Sequence, residues 1–112
     1  MYNVPMNDSI LYKVIFINRS KVYELYARDV FSSEIYGFIY VAELVFDQNQ
    51  TIVIDPAEEK IRDEFANVNV LHLPVQSVIR IEEVKEKQSC KIRDIKNGEN
   101  ISQFPPIPRS SK

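Results

Sequence analysis

One cysteine, one histidine, two glycines and no tryptophan are the scarcest features of this 112-residue sequence, and each shortage closes off a kind of chemistry. A lone Cys90 cannot form an internal disulfide, which points to a reducing compartment. Zinc requires three or four ligands converging tetrahedrally, so Cys90 and His72 cannot build a Cys/His site within one chain. Glycine is confined to Gly37 and Gly98, which leaves no glycine-rich loop to cradle a phosphate. Cys90 has Lys87, Lys91 and Arg93 near it in sequence, but nothing couples it to His72 as nucleophile and base, and it reads as a passive thiol. His72, between Leu71 and Leu73, reads as a surface or edge histidine of a strand. The adjacent carboxylates Glu58-Glu59 and Glu82-Glu83 diverge, whether on a helix or on a strand, so neither is an acid/base dyad. No catalytic, metal or cofactor-binding residue is assigned, and the chain is expected not to be an enzyme.

Charge of one sign is lacking too. Fourteen Lys and Arg stand against sixteen Asp and Glu, for a net charge of -2 and a pI near 5.4, so no overall field draws the chain onto nucleic acid or an anionic membrane. No apolar run reaches the roughly eighteen residues of a membrane helix. The opening MYNVPMNDS has neither the basic nor the apolar region of a signal peptide. A cytoplasmic protein without membrane contact is expected. A hydrophobic share of 45% and a charged share of 27% are those of a folded globular chain, and the length suits one domain.

What is present is mostly strand signal. ILYKVIFIN (10–18) and VYELYARDV (22–30) are rich in β-branched and aromatic residues and are separated by the polar Asn18-Arg19-Ser20-Lys21, so two strands joined by a short turn are expected. Tyr23, Leu25 and Ala27 share one face and look inward, leaving Glu24, Tyr26 and Arg28 outward. IYGFIYVAELVF (35–46) is apolar at nearly every position and reads as a long strand bent at Gly37. Asp47–Gln50 reads as a turn and TIVID as a short strand. In DPAEEKIRDEFANV, Asp55 is an N-cap, Pro56 suits the first helical position, and Glu58 completes a capping-box spacing, so a helix is expected over about 56–66, stopped near Asn67. Its stripe of Ala57, Ile61 and Phe65 recurs at four-residue spacing. NVLHLP and QSVIRIEEV read as strands parted by a turn at Pro74, with Ile79 and Ile81 inward, and KIRDI as an added edge strand. The expected architecture is α+β, mostly β: a small, strongly bent antiparallel barrel of SH3-like or Sm-like type with one inserted helix, over residues 10–95. Residues 1–9 read as a leader. Asn97-Gly98 is a turn signal, and 96–112, with the proline-rich PPIPR, reads as an extended or disordered tail.

KVYELYARDV, the Ser33-x-x-Tyr36-Gly37-Phe38 segment with the ELVF after it, VIDPAEEKIRDEF and VIRIEEV occur here in one order, and together they resemble the uncharacterised bacterial family named domain of unknown function 1820. The resemblance runs from about residue 10 to 86. It implies no activity, cofactor or catalytic residue. The turn at Asn18–Lys21 lacks the glycine expected in that family.

Two functional expectations follow. The first is a non-enzymatic binding or scaffold module acting as a homo-oligomer. Tyr36, Phe38, Tyr40, Ala42, Leu44 and Phe46 form one apolar face of segment 35–46, and Ile35, Ile39, Val41 and Val45 the other. The barrel interior can take one, and a short helix can cover only part of the second, so Ile39, Val41 and Val45 are expected in a subunit interface. The alternative is an RNA- or DNA-binding regulator whose outward Tyr26, Arg28 and Arg80 would stack on bases and hold phosphates. PPIPR resembles ligands of proline-reading grooves.

Overall fold

A computed structural model describes residues 10–46 and 55–95. The leader, the turn at Asp47–Gln50, most of TIVID, Asn97-Gly98 and the proline-rich tail lie outside the described residues. Six antiparallel strands and one helix make a mostly-β fold: β1 (Leu11–Asn18), β2 (Lys21–Ser32), β3 (Phe38–Val45), α1 (Pro56–Glu64), β4 (Val70–Pro74), β5 (Val78–Val84) and β6 (Lys91–Asp94). The strand order is β4-β3-β2-β1-β5, and β6 joins β2.

β2 is the axis of the sheet. One edge pairs with β1 along Lys21–Ala27; the other pairs with β6 through Lys21–Glu24 and with β3 through Tyr26–Ser32. The turn that starts it is a two-residue connection with Arg19 at φ 56° and Ser20 at φ 64°, both left-handed, as a tight hairpin between right-twisted strands requires. The absent glycine therefore leaves the geometry intact and places two ordinary L-residues in a disfavoured region.

At the far end of β2, Ser33 to Phe38 turn the chain into β3. Ser33 N donates to Phe38 O, Phe38 N donates to Ile35 O, and the Ser33 hydroxyl accepts from Ile35 N at 2.8 Å. Gly37 sits in this turn at φ 82°, where a side chain would be strained. The expected bend inside a twelve-residue strand is thus a turn before an eight-residue one. Within β3, Glu43 is left-handed at φ 59°, and the neighbours Val41 and Ala42 are both buried, so strict alternation breaks down.

β4 and β5 do not form the tight pair that the turn at Pro74 suggested. They are opposite edges of the sheet, and the single 3-10 turn Val75–Ser77 carries the chain from one to the other. The sheet is therefore strongly curved, yet no ladder joins β4 to β5 among the described residues, so it stays open there rather than closing into the expected barrel.

The core is one cluster that includes Val14, Phe16, Leu25, Val41 and Ile61, each at most 1% exposed. Each such side chain contributes roughly 1.5–3 kcal/mol. Phe16 and Tyr23 stack at 5.0 Å, and Phe65 tilts against Tyr23 at 6.0 Å. The helix begins where expected, with Asp55 Oδ1 accepting from Ala57 N at 3.0 Å. It ends at Phe65 with Phe65 N donating to Ile61 O, without a left-handed Asn67. Its stripe covers Tyr23 and β6, where segment 35–46 was expected. No helix among the described residues is long and apolar enough to cross a membrane.

Relieving the left-handed strain at Ser20 tests the turn. Ser20→Gly is expected to stabilise the fold by about 0.5–1 kcal/mol, read as a higher denaturation midpoint; a lower midpoint would mean the turn takes another form.

Candidate functional site

The register across three strands sets Phe31 opposite Tyr40 and Tyr40 opposite His72. Directly opposed residues point to the same side of a sheet, so the three rings form one transverse row. Phe31 and Tyr40 are tilted with centroids 5.7 Å apart, and Tyr40 meets His72 edge-on at 5.9 Å. His72 Nδ1 lies 2.8 Å from the Ser33 hydroxyl, which ties the row to the β2–β3 turn. Within that turn Tyr36 is 97% exposed and Ile35 48%, with Phe31 at 57% and Val75 at 46%. Val75 belongs to the same corner, because its amide donates to Gly37 O at 2.9 Å. So many large apolar and aromatic side chains exposed at one corner are uncommon on a chain that works alone.

Its electrostatics are one-sided. From Asp29 to Phe46 the charged residues are Asp29, Glu34 and Glu43, with no Lys or Arg, and Val68–Ile79 contains no Lys, Arg, Asp or Glu. No ion pair among the described residues engages those three carboxylates.

The residues expected to form a nucleic-acid face are not brought together. Tyr26 is buried, at 2% exposed, with Lys87 Nζ 5.5 Å above its ring. The reason is that Leu25, Tyr26 and Ala27 are all buried, so the middle of β2 is covered on both faces and has no outward side. Arg28 donates to Ile10 O. Arg80 is exposed and paired with Glu82 at 2.7 Å; across the sheet it faces Ile15 and then Glu24, several residues from Arg28.

The expected interface residues are placed differently as well. Val41 is fully buried inside the single chain, and Ile39 and Val45 are half-buried against its core. The faces of β3 are exchanged relative to expectation: near the turn, the side carrying Tyr40 is the outer one. Sequence reasoning missed Phe31, Ser33, Tyr36 and His72 as a group. The available signal was the run from Asp29 to Phe46, aromatic-rich and free of Lys and Arg.

A second cluster is buried. Glu58, 3% exposed, accepts from Lys87 Nζ at 2.9 Å and from Cys90 N at 3.0 Å, pinning the segment before β6 onto the first turn of α1. Burial, and then the charge of Glu58, push the Cys90 thiol up from 9.0 to about 12, opposite to what a nucleophile needs. The cluster is a structural clamp. Beside it, Lys13, Glu82, Lys85 and Glu86 surround an open depression of about 460 Å³ over the edge of Tyr26, two charges of each sign. Among the described residues, no group of three or more His, Cys, Asp or Glu could hold a metal ion.

The sequence matches the family described as domain of unknown function (DUF1820) over residues 10–106. The chain belongs to that family. Comparison with curated proteins and with solved structures finds no match. For this DUF1820 chain the match covers both the aromatic row and the buried clamp.

The clamp makes a measurable claim. Glu58→Ala leaves the Lys87 ammonium and the Cys90 amide without their buried acceptor and is expected to cost about 3 kcal/mol. Because the thiol value is raised in the fold, its contribution is complete below pH 9 and is lost as pH climbs toward 12. Chemical denaturation between pH 8 and 11 should show a loss of stability that is shallower in Cys90→Ala. A remaining slope belongs to Tyr23, whose hydroxyl is raised by burial and by its hydrogen bond to Glu64.

Proposed function

We propose that this chain is a non-enzymatic, cytoplasmic binding module whose contact surface is the aromatic row of Phe31, Tyr40 and His72 together with Tyr36. The observation that carries the reading is the 97% exposure of Tyr36 and 57% of Phe31 beside a row of rings held in register by three strands. Side chains of this size contribute most to a contact when water leaves both partners, and aromatic residues are enriched at interface centres. The scaffold suits the role. A strand order of β4-β3-β2-β1-β5, with the two edges linked by one 3-10 turn, favours a strongly bent sheet, an SH3-like barrel left open between β4 and β5, and the ladders β2–β3 and β3–β4 hold the row in register.

A homo-oligomer is the second reading, favoured by the same exposed surface. In that case the rings of two copies cover each other, in place of Ile39, Val41 and Val45.

The double variant Phe31→Ser/Tyr36→Ser separates these readings. Both side chains are exposed, so its denaturation midpoint should stay within about 0.5 kcal/mol of the parent. Retention of a discrete protein from native cytoplasm by the parent, and its loss from the variant, is the expected result. Light scattering that falls from twice 13.1 kDa in the parent to a monomer in the variant would instead select self-association. RNA retained equally by both would overturn the reading.

A further inference from the structure

We infer that the aromatic row takes a cationic, proline-rich segment of a partner protein, bound as a polyproline II helix. The inference rests on the binding-module reading and gives that module a ligand class. Three observations carry it.

The first is spacing. Three neighbouring strands about 4.8 Å apart separate Phe31 from His72 by roughly 10 Å, with Tyr40 between them at 5.7 and 5.9 Å. A polyproline II helix repeats every three residues at 3.1 Å each, so residues on one of its edges recur at about 9 Å. Two prolines three positions apart can therefore rest on Phe31 and His72, the two outer rings of the row, with Tyr40 beneath the residues between them.

The second is charge. The segments that build the surface carry Asp29, Glu34 and Glu43 and no Lys or Arg. Phosphate backbones and anionic lipid headgroups are repelled there, whereas an arginine or lysine flanking the prolines is drawn in. The third is the state of the row before binding. Tyr40 is braced by rings on both sides, and His72 is held by the Ser33 hydroxyl, so little side-chain freedom remains to be lost on docking.

The chain's own sequence offers a probe of this chemistry. Residues 103–112 read QFPPIPRSSK, three prolines followed by two cations and no acid. A synthetic peptide of that sequence, titrated into the full chain and followed by tyrosine fluorescence and calorimetry, should bind saturably, and the affinity should fall at least fivefold between 50 and 500 mM salt, as an exposed charge component requires. Tyr36→Ala and Phe31→Ala in the protein should each weaken it about tenfold, and so should replacing the three prolines of the peptide by alanine. Because the full chain carries the same segment in cis, the titration is repeated on the P105A/P106A/P108A chain, where binding should be equal or tighter. Absence of binding to both chains overturns the inference, and so does binding that ignores Tyr36→Ala or the loss of the prolines. Partner capture that depends on Phe31 and Tyr36 alongside a silent peptide would leave the binding-module reading in place and reject only the ligand class. A single-stranded RNA that competes at Tyr36 would reject both.

Discussion

Leu25, Tyr26 and Ala27 are consecutive and all buried, so the centre of β2 is covered on both faces, and every other element takes its position from what it covers there. A strand in an open antiparallel sheet normally keeps one face wet. Here one face packs on Val14 and Phe16, with Ile61 and Phe65 of the helix in the same cluster, and Tyr26 on the other lies under Lys87 and beside the segment that Glu58 holds. The Glu58–Lys87–Cys90 clamp is the polar counterpart of this constraint. A carboxylate 3% exposed is tolerated because an ammonium and a backbone amide both donate to it, and in exchange the chain between β5 and β6 is fixed where it can close over Tyr26.

The two ends of β2 then differ: Val22 and Tyr23 near its start are buried, while Phe31 and Ser32 at its end are exposed. At its start, the left-handed Arg19-Ser20 turn is supported by β6, whose Asp94 pairs with Lys21 and after which Ile95 N donates to Ser20 O. At its end there is no such cover among the described residues, and the strand runs out into Phe31, the Ser33 turn and Tyr36. The same corner receives β4 and the 3-10 turn through the Val75 amide on Gly37 O. The aromatic row is therefore a consequence of register: the pairing that places Val41 in the core opposite Val30 also places Tyr40 opposite Phe31 on the other side.

Much of the local structure could be read from the residues. The β1–β2 hairpin, the inward set Tyr23, Leu25 and Ala27, the helix start at Asp55-Pro56 and the added strand β6 all rest on signals within a few residues of one another. The facing of β3 could not be read that way. When both faces are apolar, alternation gives parity without saying which parity is inside, and the left-handed Glu43 breaks even that. Tyr26 shows the same limit: its parity with Glu24 and Arg28 suggested an outward face, and only the distant Lys87 and Glu58 reverse it. The separation of β4 and β5 to opposite edges is likewise non-local, because a short connection at Pro74 looks the same whether it closes a hairpin or crosses to the far edge.

The most direct measurement of the central claim is site-directed photo-crosslinking in the native cell, with benzoylphenylalanine replacing Tyr36 in one strain and Glu83, an exposed residue of β5, in another. A contact surface at the β2–β3 corner predicts a discrete crosslinked protein species from position 36 and none from position 83. The same pattern of products from both positions, or none from position 36, would contradict it.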